Sequence, residues 1–183
     1  MTLMPTILDL CGGTGSWSKP YSDRGYYVEV IDVLNGDDIR TLKSRDMNVQ
    51  GILAAPPCTD LAGSGARWWK DKGHQALLDS LAVADACLRA VWLYKPKWWA
   101  LENPVGRLRT YYGDPTLIFD PYEYGDPYTK KTLLWGDFTI PERNIVEPTE
   151  GSKMHLLPPS PDRWKLRSAT PQGFANAFAD ANP

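Results

Sequence analysis

The chain has 183 residues, of which 43% are hydrophobic, and this is enough material for one buried core. Its net charge of −2 argues against a uniformly basic nucleic-acid-binding protein. Three cysteines are too few and too scattered for a disulfide framework or a zinc site, and no apolar run approaches the roughly 20 residues of a membrane-spanning helix. Because Met1 to Leu10 also lacks the charged head of a signal peptide, we expect a single cytoplasmic domain without a metal or a membrane anchor.

Charge is unevenly distributed along the chain. Residues 63–110 contain eight Lys and Arg against four Asp and Glu, whereas acidic residues are in excess on both sides of this stretch. The middle third is therefore the predicted place for an anionic ligand.

The first 100 residues alternate between predicted strands and helices. The apolar run at residues 6–10 ends in a glycine-rich turn, and residues 16–24 suit a helix. Residues 75–94 carry Leu, Ala and Val at helical spacing. This alternation is typical of a parallel α/β sheet. Further strands are predicted at residues 26–32, 49–55 and 97–102.

The last 70 residues predict a different arrangement. A strand at residues 131–135 is expected to form a hairpin with residues 116–121. Five prolines within residues 141–161 indicate an irregular stretch. Thr170 followed by Pro171 is typical of an N-cap and a first helical position, so a helix is predicted to close the chain.

The glycine-rich turn Gly12-Gly13-Thr14-Gly15 lies between the first strand and the first helix. Glycines there let the backbone approach a ligand, and Asp32, at the end of the second strand, is placed to accept both ribose hydroxyls of an adenosine. Asp38, in a nearby turn, is a candidate for the adenine amino group. The glycines and both carboxylates also suit purely structural turns, and the sequence contains no Walker-type phosphate loop.

Two further residues follow predicted strands and carry reactive groups. Cys58 comes after Ala54-Ala-Pro-Pro, at the carboxyl edge of the third strand, where open α/β sheets bind ligands. Glu102 ends the fourth strand, where a carboxylate must be paired or functional because its unpaired burial is costly. A small buried hydrophobe is the alternative role for a cysteine, and we assign that role to Cys87 on its apolar helix face.

The order of these elements along the chain is specific: Asp9-Leu-Cys-Gly-Gly-Thr-Gly15, Asp32, Asp38-Ile39, Pro56-Pro-Cys58, Glu102-Asn103 and a final Gly-Phe-Ala-Asn. It resembles the DNA cytosine-C5 methyltransferase family, particularly the short phage-type members. The resemblance spans nearly the whole chain. It implies an α/β, Rossmann-like S-adenosylmethionine-dependent methyltransferase fold as a single domain over residues 1–183, with a mostly parallel sheet flanked by helices and a reduced recognition region.

The resemblance implies transfer of a methyl group from S-adenosylmethionine to carbon 5 of cytosine in DNA. Cys58 would add as a thiolate to carbon 6 of the base, because carbon 5 becomes nucleophilic enough only in the resulting enamine. Glu102 would hold and protonate ring nitrogen 3, and Asn103 would support the loop geometry. In a duplex substrate the cytosine would be flipped out of the stack.

By the same resemblance, one group of residues would bind the cofactor. Asp32 would bind its ribose and Asp38 its adenine amino group, while Gly13 and Gly15 would leave room for its methionine portion. Trp17 would close over it. The other residues implied at this pocket are Asp9, Cys11, Pro56, Asn176 and Thr170, the last with helix capping as its alternative.

The chain departs from the family pattern in three places. Cys11 stands where larger members have an aromatic residue for adenine stacking. The arginine-containing element that buttresses the flipped base is approximated only by Tyr128-Thr-Lys-Lys-Thr132, in which Lys130 or Lys131 would replace an arginine. The large target-recognition domain is absent, and residues 137–166 form a short irregular insert in its place.

Basic and aromatic residues supply the predicted DNA contacts. The loop 63–72 combines glycines with two tryptophans and three cations, so it could close over a nucleotide. Trp68 would stack on a base, and Arg67 and Lys70 would meet phosphate; a loop whose tryptophans pack into the core is the alternative. The remaining predicted DNA contacts are Arg107, Lys130 and Arg163.

Two other functions remain open from the sequence. The acidic net charge and the missing recognition domain favour C5 modification of a free cytosine nucleotide or of RNA. RNA enzymes of this type, however, generally take their nucleophile from a Thr-Cys where this chain has Glu102-Asn103. The other possibility is a catalytically inert DNA-binding or partner-activating subunit, and retention of Cys58 and Glu102 argues against it.

Overall fold

The computed structural model describes residues 4–183, which form one six-stranded sheet with helices on both faces. The strands are β1 Thr6–Leu10, β2 Tyr27–Ile31, β3 Val49–Ala54, β4 Trp98–Pro104, β5 Leu117–Phe119 and β6 Thr132–Asp137. The helices are α1 Lys19–Asp23, α2 Trp69–Tyr94, α3 Leu108–Tyr112, α4 Lys153–Leu156, α5 Arg163–Ser168 and α6 Gln172–Ala181. The order of strands across the sheet is β2-β1-β3-β4-β6-β5.

The sheet is mixed, whereas we predicted a mostly parallel one. β2, β1, β3 and β4 run parallel to one another, as the alternation of strands and helices predicts. β6 pairs antiparallel with both β4 and β5, so the predicted hairpin is confirmed and it extends the sheet beyond β4. A parallel β6 would need a crossover helix on one face of the sheet, but the chain between β4 and β6 forms the short α3 and the edge strand β5.

Two hydrophobic cores lie on opposite faces of the sheet, because side chains alternate along each strand. On one face the strands pack against α2, and on the other they pack against α1 and α6. Along β1, for example, Ile7 belongs to the α6 side and Leu8 to the α2 side. The parallel strands therefore end at one edge between two helical layers, and the predicted site residues follow those ends.

The helices near the site begin at other residues than predicted. α1 covers five residues and starts beside Pro20, which occupies one of its first two positions, rather than at Ser16. α2 begins six residues before the predicted helix and continues the 3-10 helix Gly63–Trp68. The predicted loop 63–72 is therefore largely helical, with a break at Gly73, where φ of 75° is a conformation that glycine adopts without strain.

The last helix is fixed at both ends by hydrogen bonds to other elements. We predicted Thr170 as its N-cap, but Pro171 holds that position and its carbonyl oxygen accepts from the N–H of Ala175 at 2.9 Å. The proline favours an extended conformation at Thr170, whose N–H donates to Ser16 Oγ at 2.9 Å. At the other end, the Asn182 side chain exchanges hydrogen bonds with the backbone just after β6.

The stretch predicted to replace a recognition domain is less irregular than expected. Residues 137–166 contain α4 and the beginning of α5. The N–H groups of Asn144 and Val146 donate to carbonyl oxygens of residues 122–123 at 2.9 Å, which anchors the first part of the stretch. Short helices form here because the prolines lie outside them. None of the helices within residues 4–183 is both long and apolar enough to cross a membrane.

Candidate functional site

In the turn after β1, three residues have backbone conformations that residues other than glycine rarely adopt. Cys11, Gly13 and Gly15 have positive φ angles, between 54° and 69°. The N–H of Gly13 donates to Asp32 Oδ2 at 2.9 Å, which ties the turn to the end of β2. A Cβ atom built on Gly13 would meet no described atom within 4 Å, so the turn opens onto free space.

Asp32 and Asp9 lie beside this turn with buried carboxylates. Asp32 Oδ1 accepts from the N–H of Leu34 at 2.9 Å, so both of its oxygens already accept a backbone N–H, and each keeps a further lone pair for a ligand. Asp9 Oδ2 accepts from Ser18 Oγ at 2.5 Å, whereas Asp9 Oδ1 has no hydrogen-bond partner among residues 4–183. Burial raises the pKa of Asp9 to about 6.

Two residues predicted to bind the cofactor are engaged by other groups. Asp38 forms an ion pair with Arg40 at 2.7 Å, and the hydrogen bonds from Arg40 lower the pKa of Asp38. Cys11 packs on the α2 side of the sheet, against the core that contains Cys87. An adenine at Asp38 would therefore compete with Arg40, and the Cys11 thiol belongs to the core packing.

Cys58 and Glu102 come from adjacent strands at the same edge of the sheet. β3 and β4 are neighbouring parallel strands, so the residues at their carboxyl ends lie side by side. The buried Asn103 side chain donates through Nδ2 to the carbonyl oxygen of Pro56 at 3.0 Å. This hydrogen bond joins the loop before Cys58 to β4 and limits the freedom of the thiol.

Glu102 lines a small open cavity on the α6 face of the sheet. The free volume of the cavity is about 10 Å³, roughly the room that one water molecule needs. Lys130 also lines it, and its Nζ donates to the carbonyl oxygen of Ala169 at 3.3 Å. Lys130, predicted to contact DNA, therefore lines the same cavity as Glu102. The other lining residues are Trp17, Phe119, Thr132, Leu134, Thr170, Pro171 and Phe174.

The charged groups at this edge set the ionisation of the thiol and of the carboxyl. Burial raises the pKa of Glu102, and the charge of Lys130 partly opposes this shift. Burial and then the charge of Glu102 raise the pKa of Cys58, while Lys130 and Arg167 lower it. The thiol is thus held protonated near neutral pH, and neutralising Glu102 would favour the thiolate.

Two residues predicted at the cofactor pocket are placed differently. Trp17 is 2% exposed, with its ring centre 6.2 Å from that of Phe174 and 5.6 Å from that of Phe178. This packing makes Trp17 a fixed wall of the cavity, which corrects the expectation that it closes over a ligand. Asn176 is exposed on α6 and accepts from Gln172 Nε2 at 3.2 Å, so the structure does not bring it into the cavity.

The segment after Cys58 is held against the end of β4. The N–H of Arg107 donates to the carbonyl oxygen of Leu61 at 2.8 Å, and its Nε donates to that of Asp60 at 2.7 Å. Its guanidinium carbon lies 4.5 Å from the ring centre of Trp69. We predicted that Arg107 contacts DNA, but the structure uses its guanidinium to hold this segment.

The other predicted DNA contacts differ in exposure. Arg67, Trp68 and Lys70 are exposed, and the Arg67 guanidinium lies 5.1 Å from the Trp68 ring centre. Arg163 is half-buried, and its Nε is shielded without a hydrogen-bond partner in the described part of the chain. Arg67 and Lys70 are therefore better placed than Arg163 to meet a phosphate.

Arg167 of α5, whose charge lowers the pKa of Cys58, was not among the predicted site residues. A signal was present, because Arg163-Trp164-Lys165 in α5 repeats the pattern of Arg67-Trp68-Trp69-Lys70 near Cys58. Thr132, which lines the cavity, carried no comparable signal, since it was identifiable only as a strand residue.

The surroundings of the glycine turn fit an adenosine-containing methyl donor. S-adenosylmethionine carries an ammonium group and ribose hydroxyls, which need acceptors. Asp9 Oδ1 and the spare lone pairs of Asp32 are such acceptors, and the open space at Gly13 leaves room for the ligand. Residues 4–183 contain no cluster of three or more His, Cys, Asp or Glu that could hold a metal ion.

Comparison with known proteins gives a likeness in fold. No protein-family model and no curated protein matches the sequence. Among solved structures, the fold is similar to an E. coli crystal structure described as a "putative DNA modification methyltransferase encoded within prophage", with a TM-score of 0.50 and 17% sequence identity. The match covers 72% of this chain and 46% of that one, so this chain corresponds to less than half of that protein. At this identity the likeness concerns the fold.

Proposed function

We propose that this chain is an S-adenosylmethionine-dependent methyltransferase that acts at carbon 5 of cytosine in DNA. The observation that carries the proposal is the meeting of Cys58, Glu102 and Lys130 at one sheet edge, near the open turn at Gly13. A thiol, a half-buried carboxyl and a cation are the groups that nucleophilic addition to a pyrimidine ring requires. The shared fold with a protein described as a DNA modification methyltransferase supports the choice of reaction.

Cys58 is the nucleophile for carbon 6 of the ring. Its proton passes to Glu102, and the resulting neutral Glu102 no longer raises the pKa of Cys58 by its charge. Lys130 and Arg167 then stabilise the thiolate. As sulfur bonds to carbon 6, the ring electrons move towards nitrogen 3, which takes a proton from Glu102.

The residues around the glycine turn would hold the methyl donor. Asp32 would accept its ribose hydroxyls and Asp9 its ammonium group, beside the turn that Gly13 keeps open. When bound, that cofactor supplies the electrophilic methyl group that carbon 5 of the ring adduct takes up. A base removes the carbon-5 proton, the carbon–sulfur bond breaks to return the Cys58 thiolate, and nitrogen 3 returns its proton to Glu102.

Methyl transfer from a labelled cofactor tests the proposal. Duplex DNA, single-stranded DNA, RNA and free cytidine nucleotides are incubated with the protein, and the products are digested and analysed by nucleoside mass spectrometry. We expect 5-methyldeoxycytidine from DNA. Methylation of free nucleotides or RNA alone would identify the alternative substrate, and methyladenine or N4-methylcytosine would contradict the chemistry.

A mechanism-based trap separates catalysis from binding. An oligonucleotide containing 5-fluorocytosine cannot lose its carbon-5 substituent as a proton, so a covalent complex should accumulate on Cys58 in the presence of cofactor. Binding of the oligonucleotide without a covalent complex or methyl transfer would instead indicate an inert DNA-binding subunit.

A further inference from the structure

Two short segments of this chain share one pattern of side chains. Residues 63–72 contain Arg67-Trp68-Trp69-Lys70, and residues 162–168 contain Arg163-Trp164-Lys165. Both segments are largely helical. We call them the two Arg-Trp segments. Each contains three cations and one carboxylate, so each is locally basic in a chain of net negative charge.

Each Arg-Trp segment exposes an indole beside a cation. Trp68 is 51% exposed, with Arg67 5.1 Å from its ring centre. Trp164 is 46% exposed, with Lys165 5.7 Å from its ring centre. An exposed indole with a cation beside it offers an aromatic face on which a base can stack and a positive charge for the neighbouring phosphate.

The first Arg-Trp segment begins directly beside the candidate nucleophile. The carbonyl oxygen of Cys58 accepts from the N–H groups of Leu61 and Ala62 at 3.0 and 2.8 Å, which turns the chain into the 3-10 helix of this segment. Hydrogen bonds from Arg107 to the carbonyl oxygens of residues 60 and 61 hold it there.

The second Arg-Trp segment is tethered beside the cavity that Glu102 and Lys130 line. Lys130 Nζ donates to the carbonyl oxygen of Ala169, the residue that follows α5, at 3.3 Å. Thr170, the next residue, lines the cavity together with Glu102 and Lys130. Arg167 of the segment also acts electrostatically on Cys58. Both segments therefore adjoin the thiol site.

We propose that the two Arg-Trp segments bind an unpaired DNA strand around the target cytosine, with bases stacked on Trp68 and Trp164. In a duplex, neighbouring pairs cover both faces of each base, so an exposed indole can stack only on a base that is unpaired. The cations beside each indole match the phosphates that accompany the stacked bases. This inference rests on the proposed function and names single-stranded DNA as the substrate class of the same site.

Equilibrium binding measured by fluorescence anisotropy tests this inference. The probes are a labelled DNA strand of about 12 nucleotides with one cytosine, the same strand annealed to its complement, an RNA strand of the same sequence, and cytidine monophosphate as competitor. We expect the unpaired DNA strand to bind at least about tenfold more tightly than the duplex. Equal or tighter binding of the duplex, or tighter binding of the RNA, would overturn the assignment.

Tryptophan variants locate the binding surface. Trp68→Ala and Trp164→Ala should each weaken strand binding by about 5- to 100-fold, and Trp68→Phe should restore most of the affinity. Trp92→Ala is the matched control, because Trp92 is 77% exposed near the opposite end of α2 and should not affect binding. Wild-type affinity in both Trp68→Ala and Trp164→Ala, with unchanged circular dichroism, would refute the proposed surface.

The failure of this inference can be distinguished from failure of the proposed function. If strand binding depends on Trp68 and Trp164 but no methyl transfer is detected, the proposed binding surface is supported and the proposed enzyme activity is contradicted. Methyl transfer to duplex DNA that is insensitive to both tryptophan variants would support the activity and contradict the surface.

Discussion

The balance of charges around a single thiol governs the chemistry that we propose. Burial and Glu102 raise the pKa of Cys58, whereas Lys130 and Arg167 lower it. Such a thiol is largely protonated near neutral pH, and neutralising Glu102 would remove the second of the two causes that raise its pKa. The same arrangement makes each of these side chains testable by itself.

Replacement of the nucleophile should abolish turnover. Cys58→Ser substitutes a hydroxyl, a far weaker nucleophile than a thiolate near neutral pH, so methyl transfer should become undetectable while cofactor binding measured by calorimetry stays close to wild type. Cys87→Ser is the matched control and should remain active, because Cys87 lies in the core on the α2 side. Wild-type rates in Cys58→Ser would exclude a covalent mechanism.

Removal of the carboxylate charge should have opposite effects on catalysis and on thiol reactivity. Glu102→Gln cannot protonate nitrogen 3, so methyl transfer should fall by roughly 10²- to 10⁴-fold. The same change removes a negative charge beside Cys58, so alkylation of this thiol by iodoacetamide should begin at lower pH than in wild type. Lys130→Met should shift the alkylation profile to higher pH. If Glu102 has only a structural role, the rate of methyl transfer and the alkylation of Cys58 should both stay within a few-fold of wild type.

The buried carboxyl of Asp9 should make stability depend on pH in a defined window. Its pKa of about 6 in the folded protein exceeds the usual 3.8, so the folded state holds more protons between pH 4 and 6 and loses stability as pH rises through this range. Asp9→Asn lacks this titration. Its free energy of unfolding relative to that of the wild type should therefore increase by about 2 kcal/mol between pH 4 and pH 7, measured by urea denaturation. If the difference in free energy of unfolding between the two proteins does not change with pH, the raised pKa of Asp9 is contradicted.

At the scale of elements, the site depends on how the segment after Cys58 is joined to the end of β4. An isolated bridge pairs Ala62 with Gly106, and the N–H of Gly63 donates to the carbonyl oxygen of Val105 at 2.8 Å. A Cβ atom on Gly106 would collide with the carbonyl oxygen of Leu61. Glycine is needed at this position because two backbones approach each other closely.

Gly106→Ala should therefore displace the segment that carries the nucleophile. A shift of about 1 Å at the reacting atom costs roughly 10²-fold in rate, so we expect a loss of that order in kcat together with a lower melting temperature. Gly65→Ala is the matched control on the same segment, since its added Cβ would lie 3.6 Å from the carbonyl oxygen of Thr59, an ordinary contact. Similar rates for the two variants would show that the close approach does not position Cys58.

Local patterns predicted the elements better than their ends. The strands at residues 6–10, 49–54 and 132–137 follow runs of apolar residues whose spacing is visible in the sequence. Helix ends depend on which group satisfies the first and last backbone atoms, and at α6 this is decided by Pro171 and by the contact between Thr170 and Ser16. Ser16 is distant from Thr170 in the sequence, so the local pattern could not predict this contact.

At the scale of the whole molecule, the proposed recognition of DNA would rest on a small surface. Residues 137–166, which we predicted to replace a recognition domain, contain only α4 and part of α5 as helices, within the part of the chain that the structure describes. Each good bidentate contact to a base contributes about 1–3 kcal/mol of discrimination, and few such contacts are available here. We therefore expect a short recognition sequence of two or three bases, on the order of a dinucleotide step, or nearly none.

Binding should accordingly depend strongly on salt. If Arg67, Lys70, Lys165 and Arg167 each neutralise one phosphate of an unpaired strand, log Kobs should fall against log salt with a slope of about −3. A titration of the labelled strand at several sodium chloride concentrations measures this slope. A slope near zero would mean that these cations do not meet phosphate, and a strict methylated site of about six base pairs in mixed-sequence DNA would contradict the short recognition.

The sequence by itself determined the parallel half of the sheet, the glycine turn and the position of Cys58 after β3, because these follow from the spacing of residues that are neighbours in the chain. Glu102 was predicted to end its strand, but pairing with β6 extends β4 to Pro104. Only the tertiary structure decided that β6 adds antiparallel to β4 and that Trp17 is a buried wall. It also decided that Arg107 holds a backbone segment while Arg167 reaches the thiol. These features depend on contacts between residues distant in sequence, where burial and charge are set by whichever groups the fold brings together.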